Sequence, residues 1–319
     1  PFEGAMDIGG SMNLQFKADL SRWVAHRPSI LYWVFPPGSN IGGLGAGLVR
    51  CVRPWNEWLA VWGYDITQEP PHLDEEEAKR IVRKLVGIPD LELEITGYSL
   101  WGNNEQWATH MQNGRVFIAG DAAHRHPPSH GLGSNTSIQD SYNLAWKLAA
   151  VLKGQAGEEL LETYSVERAP IAKQIVTRAN NSSREYQPIF DALGVADAKT
   201  DEEFIEKLRL RKEATPEGAA RRKALRAALD NKDYEFNAQG TEIGQFYRST
   251  AVVCDGLGRP EVTEDPLLHH QKSTYPGLRL PHAWIGDTFR KESTHDIATG
   301  TGFTLFTGIT GRPWAEAAE

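Results

Sequence analysis

Cysteine is scarce: Cys51 and Cys254 are the only two among 319 residues. Two isolated thiols make neither a disulfide framework nor the paired spacing of a zinc site, so both read as reduced thiols of a cytoplasmic protein. An excess of positive charge is also missing, because 34 Lys and Arg stand against 42 Asp and Glu, a formal net charge of −8. The chain offers phosphates no attractive overall field, and nucleic acid is not an expected partner. No apolar run approaches the roughly eighteen residues of a membrane span; Ile30-Leu31-Tyr32-Trp33-Val34-Phe35 is typical of the longest. A membrane partner is not expected either. The first residues, beginning Pro1-Phe2, lack a charged region leading into an apolar stretch, so no secretory signal is read and the chain looks like a piece of something longer. Repeats and low-complexity tracts are absent. What remains is ordinary globular usage, 40% hydrophobic and 24% charged, at a length that favours two domains or one with large appendages.

Apolar and polar residues alternate in runs near 30–35, 45–52, 57–64 and 92–101, punctuated by Pro36-Pro37-Gly38-Ser39 and Pro70-Pro71. Period-two runs between turn residues predict a sheet of antiparallel habit. Asp74-Glu75-Glu76-Glu77 ahead of Ala78, Ile81, Val82, Leu85 and Val86 predicts a surface helix with an acidic first turn. Trp33, Trp55, Trp58, Trp62, Trp101 and Trp107 cluster in this half and are enough to line a pocket for a flat ligand, though sheet core is their better reading. Val116-Phe117-Ile118-Ala119 suits a buried strand, and Ile138, Tyr142, Ala145, Leu148, Ala149 and Leu152 repeat at helical spacing after it. A second helix is expected from Glu158 to about Arg178, interrupted at Pro170. A third, highly charged one is expected from Asp201 to about Leu229, broken near Pro216. Residues from Thr241 to Pro276 read as an extended connection, and Gly302 to Gly308 as a short strand.

The densest chemistry lies between that strand and that helix, in Gly120-Asp121-Ala122-Ala123-His124-Arg125-His126-Pro127-Pro128-Ser129-His130-Gly131-Leu132-Gly133-Ser134-Asn135. A loop that leaves a buried strand and enters a helix amino terminus is where open α/β sheets bind ligands. Asp121 offers acceptor oxygens to the hydroxyls of a sugar or sugar alcohol. Pro127 and Pro128 stiffen the chain, Gly131 and Gly133 allow close backbone approach to a planar ligand, and unpaired amides near Ser134 to Ser137 are donors to a carbonyl or anion.

This run resembles the second flavin-binding segment of the class A flavoprotein aromatic monooxygenases, the p-hydroxybenzoate hydroxylase and phenol hydroxylase group. The likeness rests on Gly-Asp-Ala-Ala-His, Pro-Pro, Gly-x-Gly-x-Asn, then Asp140, Asn143-Leu144 and Trp146-Lys147-Leu148. Tyr164, Glu167-Arg168 and Pro170 fit the following helix. Asp255-Gly256, Pro276-Gly277-Leu278-Arg279 and Pro281-His282-Ala283-Trp284 are similar to the passage into the thioredoxin-like C-terminal domain of phenol and chlorophenol monooxygenases. The resemblance implies an α/β (α+β) fold, p-hydroxybenzoate hydroxylase-like but partial. Residues 1–105 would form a substrate-binding sheet region and 106–180 the second FAD-binding segment with its following helix. Residues 181–275 would be a helical excursion and connection, and 276–319 the start of the thioredoxin-like domain. It further implies FAD, with NADPH as co-substrate, and hydroxylation of a phenolic ring by O2 through a flavin C4a-hydroperoxide, with room for a homo-oligomer. Asp121 would hold the ribityl chain, Pro127 and Pro128 would edge the isoalloxazine, and Gly131, Leu132, Gly133, Ser134 and Asn135 would face its N1–C2=O side. A helix amino terminus, worth roughly half a positive charge, suits the anionic reduced ring.

Three parts of the family pattern are not in these residues. The Gly-x-Gly-x-x-Gly fingerprint is missing, Gly42-Gly43-Leu44-Gly45-Ala46-Gly47 having neither its spacing nor a helix after it. The Asp-Gly segment near the pyridine nucleotide and the phenol-activating base are missing too, so the catalytic residue stays unknown and the chain alone is expected to hold FAD weakly. Two alternatives stand beside this reading. His124, His126 and His130 could share a metal ion in a hydrolase, or the chain could be a non-catalytic fragment. Asp140 and Asn143 read as helix-surface or sheet-packing residues, Arg50 and Arg53 as surface-pair arginines, and Tyr32 as core.

Overall fold

The alternating runs become one sheet in the structure, a computed structural model that describes residues 1–36, 46–195, 198, 200–254, 256–286, 289–298 and 302–318. Pro37-Gly38-Ser39, the glycine-rich run through Gly45, and Asp255 lie outside the described residues. The sheet contains β1 (Phe2–Lys17), β2 (Leu31–Val34), β3 (Gly47–Arg53), β4 (Glu57–Tyr64), β5 (Glu94–Ala108) and β8 (His124–Arg125). Its order is β2-β3-β4-β1-β5-β8 and every pairing is antiparallel. The longest ladder joins β1 to β5, from Phe2 opposite Ala108 to Lys17 opposite Glu94. Sequence pattern finds β2, β3, β4 and most of β5 but passes over β1, the central strand. Gly4, Gly9, Gly10 and Asp7 dilute its β propensity, and clean alternation survives only in its last turn of residues.

That alternation sets the two faces of the sheet. Met12, Leu14 and Phe16 point into a core with Val49, Cys51, Trp58 and Ala60, joined by Val24 of the short helix α1 (Ser21–Val24) and covered by Ala78, Ile81, Val82 and Leu85 of α2 (Glu75–Val86). Each of the larger aliphatic and Phe side chains among them stabilises the fold by about 1.5–3 kcal/mol through burial. Helix α2 starts where Asp74 accepts from the Glu77 amide (2.8 Å) and stops at Gly87 in the left-handed conformation, as its acidic first turn predicts. Residues between these point to the other face: Asn13, Leu48, Arg50, Leu59, Val61, Ser99 and Trp101.

Beyond β5 the chain departs from expectation. Residues 116–119 do not form a buried strand; β7 (Val116–Phe117) pairs only with β6 (Gln112–Asn113), and Val116 is 67% exposed. A two-residue hairpin has no sheet to bury it. Helix α3 (Gly133–Leu152) forms where its period predicts, yet its apolar Ile138, Tyr142 and Leu152 are exposed, while Thr136, Asp140, Asn143 and Lys147 are buried against α4 (Glu159–Arg184). Pro170 does not interrupt α4. The Val166 carbonyl four residues earlier belongs to an exposed residue, so water can replace the missing amide donor.

Helix α5 (Gln187–Leu193) packs Ile189, Phe190 and Leu193 with Trp33 and Phe35, and the charged excursion breaks as expected into α6 (Asp201–Leu210) and α7 (Pro216–Asp230). Short helices α8 (Asp233–Phe236) and α9 (Gln239–Ile243) lead to the extended connection. The last residues hold β9 (Trp284–Gly286) paired with β10 (Lys291–Ser293), then α10 (Thr294–Ile297) and α11 (Arg312–Ala318). The strand expected at Gly302 to Gly308 is not there. Phe303 and Leu305 are exposed, and among the described residues no strand lies beside them to supply a ladder. Among the described residues no helix is long and apolar enough to cross a membrane.

Candidate active site

The chain turns sharply after β7. Gly120 has φ 59°, and a Cβ there would lie 2.9 Å from Ser137 Oγ, so the turn at Gly120–Ala122 packs directly on α3 only because residue 120 is glycine. Asp121 projects from this turn into a cleft of 1560 Å³. The chain then adds β8 to the edge of the sheet, runs through Pro127 and Pro128, and bends at His130 and Gly131, both with positive φ (71° and 65°). Gly131 has open space where a Cβ would stand, and Gly133 meets only the His126 ring, at 3.6 Å.

Helix α3 begins at Gly133 with no side-chain cap. Its first intrahelical donor is Thr136, whose amide reaches the Leu132 carbonyl (2.8 Å), so the amides of Gly133, Ser134 and Asn135 have no partner within the helix. Six of the expected site residues, Asp121, Pro127, Pro128, Gly131, Gly133 and Ser134, line the cleft together. Two do not bring their side chains to it. Leu132 is buried against Ile171 and Ile175, and Asn135 folds back to donate to the Gly131 carbonyl (2.9 Å), bracing the loop. Backbone is what these two offer a ligand.

The facing wall is the polar side of the sheet. Trp101 Nε1 donates to Asn13 Oδ1 (3.0 Å) and Asn103 Nδ2 to Ser11 Oγ (3.2 Å), which fixes these side chains across β1 and β5. Arg50 lines the cleft, whereas Arg53 makes the surface pair expected of it, 3.4 Å from Glu57. The sequence names both arginines as able to neutralise a phenolate or a cofactor phosphate and favours a surface pair for each; Arg50 departs from that expectation, and the signal that separates the two is strand phase. Trp33 and Trp101 reach the cleft, Trp58 is core, and the Tyr32 hydroxyl donates to the Arg27 carbonyl (2.8 Å) away from it.

The three histidines part company. His124 is buried and its Nε2 donates to Asp140 Oδ2 (2.8 Å). His126 donates from Nδ1 to the Pro127 carbonyl (2.8 Å), which leaves Nε2 as an acceptor, and burial holds this imidazole below its ordinary range. Burial, then the Arg178 charge, pulls His130 down to about 4. Among the described residues no three His, Cys, Asp or Glu side chains are placed to hold a metal ion, so the hydrolase alternative loses its site. Asp140 and Asn143 also correct the sequence reading: both are buried, Asp140 at 0% exposure. Asp140 accepts from His124, Arg168 and the Gly120 amide, and Asn143 donates to Glu167 (2.8 Å). Burial raises the Asp140 carboxyl, but the His124 hydrogen bond and the Arg168 charge outweigh it and hold the group below its ordinary value.

Residues 1–179 match the family described as FAD binding domain. The chain belongs to this family. Within the FAD-binding-domain family it is 73% identical over 98% of its length to a phenol 2-monooxygenase of Pseudomonas sp. (strain EST1001), covering 52% of that protein. It is 55% identical over its whole length to a 2,4-dichlorophenol 6-monooxygenase of Cupriavidus pinatubonensis (strain JMP 134 / LMG 1197), covering 53% of it. A solved structure of the flavin-dependent monooxygenase PieE in complex with FAD and substrate aligns over 100% of this chain and 55% of its own, with TM-score 0.90 and 39% identity. The chain spans about half the length of the curated relatives it matches.

The residues present fit the flavin side of FAD. Open space over Gly131, free amides at the start of α3 and an exposed carboxylate at Asp121 form a cradle with donors at one end and an acceptor at the other.

Proposed function

We propose that this chain carries the substrate sheet and the flavin-ring half of the FAD site of an NADPH-consuming monooxygenase that hydroxylates a phenolic ring. The carrying observation is the cleft itself, with an uncapped helix amino terminus and a glycine loop on one wall and Asn13, Arg50 and Trp101 on the other. Asp121 binds the ribityl hydroxyls, Pro127 and Pro128 edge the ring, and the backbone of Gly131 to Asn135 donates to its anionic side. Bound there, FAD would supply the redox chemistry that takes two electrons from NADPH, leaving NADP+, and splits O2 so that one oxygen goes to the ring and the other leaves as water. The protein's part is to orient the two flat molecules and keep bulk water from between them. Arg50 supplies positive charge beside a phenolate, and the neutral His126 presents Nε2 as a proton acceptor at the loop wall.

The flanking assignments belong to the same reading: residues 106–180 as the second FAD segment, 181–275 as the excursion and connection, and 276–319 as the start of a thioredoxin-like domain, in a cytoplasmic enzyme. The test is turnover by the full-length enzyme. NADPH oxidation and O2 uptake should rise severalfold on adding a phenol and yield one hydroxylated product per NADPH. Oxidation that ignores phenols, or a preparation in which FAD does not bind, would contradict the proposal.

A further inference from the structure

Asp140 lies seven residues into α3, about 10 Å along the helix from Gly133, with no atom at the cleft. Its two oxygens nevertheless collect donors from three separate segments. Oδ2 accepts from the Gly120 amide (3.1 Å) and His124 Nε2 (2.8 Å), and Oδ1 from Arg168 Nε (2.7 Å). Gly120 opens the turn that carries Asp121, and His124 belongs to the strand by which the same loop joins the sheet. Arg168 Nη1 donates to Gln245 Oε1 (2.8 Å) and Tyr247 Oη (2.9 Å), which ties α4 to the extended connection, and Nη2 donates to the Thr136 carbonyl (3.5 Å) and Gln139 Oε1 (3.4 Å) on α3. One carboxylate therefore holds together the helix whose amino terminus faces the cleft and the turn whose carboxylate faces it.

Resting on the reading of the cleft as an FAD site, we propose that Asp140 is a positioning residue for the cofactor, fixing the Gly120–Asp121 turn in register with the free amides of α3. Asp121 and those amides would address opposite sides of one ligand. A turn free to slide along α3 satisfies one set of contacts at the expense of the other.

The molecule contains its own control. Two helical turns further along, Lys147 donates to Glu167 Oε2 (2.7 Å), which also accepts from Asn143, while Ser249 donates to Oε1 (2.6 Å). This pair is about as buried as the first and ties α3 to α4 and to the same connection, yet among the described residues it makes no hydrogen bond to residues 120–124. A role limited to helix packing predicts equal consequences for the two clusters. A positioning role does not.

In the full-length enzyme, Asp140→Asn and Glu167→Gln would be compared for thermal midpoint, FAD dissociation constant, the visible circular dichroism of bound FAD, and amide exchange of residues 120–124 in FAD-free protein. Asp140→Asn should weaken FAD by about tenfold or more, alter the flavin dichroism and speed exchange at 120–124. Glu167→Gln should lose comparable thermal stability but keep FAD affinity within about twofold, its dichroism unchanged. Should Asp140→Asn fail to fold, the double variant Asp140→Asn with Arg168→Met removes the uncompensated buried charge and should show the same weak FAD binding and altered dichroism. Equal effects of Asp140→Asn and Glu167→Gln on affinity and dichroism, or wild-type FAD binding by the double variant, would overturn this proposal alone. A wild-type enzyme that binds no FAD would overturn the cofactor reading beneath it.

Discussion

The sheet half and the α3–α4 half are stabilised by opposite means. Between the sheet and α2 the interior is Met12, Leu14, Phe16, Trp58, Ile81 and Val82, a layer of hydrocarbon with strand alternation on one side and helical period on the other. Between α3 and α4 the interior holds Asp140, Asn143, Lys147, Glu167 and Arg168, while the apolar Ile138 and Tyr142 are exposed. A hydrocarbon core tolerates imprecise geometry because its attraction has no direction. A charged interior survives where opposite charges meet through hydrogen bonds, and those bonds place its segments to within hydrogen-bond tolerance. On the proposed reading, the half that holds the cofactor loop in register is the one with the directional interior.

The largest test of this contrast is a truncation on each side. Asp140→Ala strands a buried guanidinium and should cost about 3–5 kcal/mol in denaturant unfolding. Leu14→Ala should cost about 2–4 kcal/mol. The contrast sharpens with conservative changes: Asp140→Asn should still cost most of its penalty, whereas Leu14→Met should cost less than about 1.5 kcal/mol. Comparable losses from those two conservative variants would break the distinction.

Acid separates the halves next. His130 is held at about 4 against an ordinary 6.5, so the unfolded chain takes up a proton that the folded one refuses, and stability falls as pH drops from 6.5 towards 4. Asp140 is held below 3.8, so its contribution is present above that value and disappears as pH falls through its lower folded value. Amide exchange, corrected for intrinsic rates, should show the loop at 128–131 loosening below pH 6.5 and α3 at still lower pH, both before β1 and β4. Simultaneous loss everywhere would mean that the two interiors respond alike. The smallest expected effect is Tyr142→Ser on the exposed side of α3, within about 0.5 kcal/mol in this 319-residue chain.

The same contrast explains what could be read in advance. Period-two alternation located β2, β3 and β4, and the acidic first turn with helical spacing located α2, because there burial follows hydrophobicity. Helical spacing located α3 as well but not its buried face: Ile138 and Tyr142 mark the exposed side and Asp140 the buried one, since only the partners on α4 and the Gly120 turn make that burial favourable. The motif from Gly120 to Asn135 located the cleft because its glycines and prolines act locally through the backbone. It could not say that Leu132 turns inward or Asn135 backward, nor that Arg50 and not Arg53 faces the cleft, because those outcomes depend on strand phase and on neighbours distant in sequence.

The claim at the centre is that the start of α3 and the Asp121 turn cradle the flavin ring opposite the polar face of the sheet. A structure of the full-length enzyme with FAD bound tests it most directly. The account predicts the ring edge within about 3 Å of the amides of Gly133 to Asn135, the ribityl hydroxyls on Asp121, and the ring's free face turned towards Trp101 and Arg50. A flavin ring seated away from Gly131 to Asn135, with the cleft filled by solvent or side chains, would contradict it.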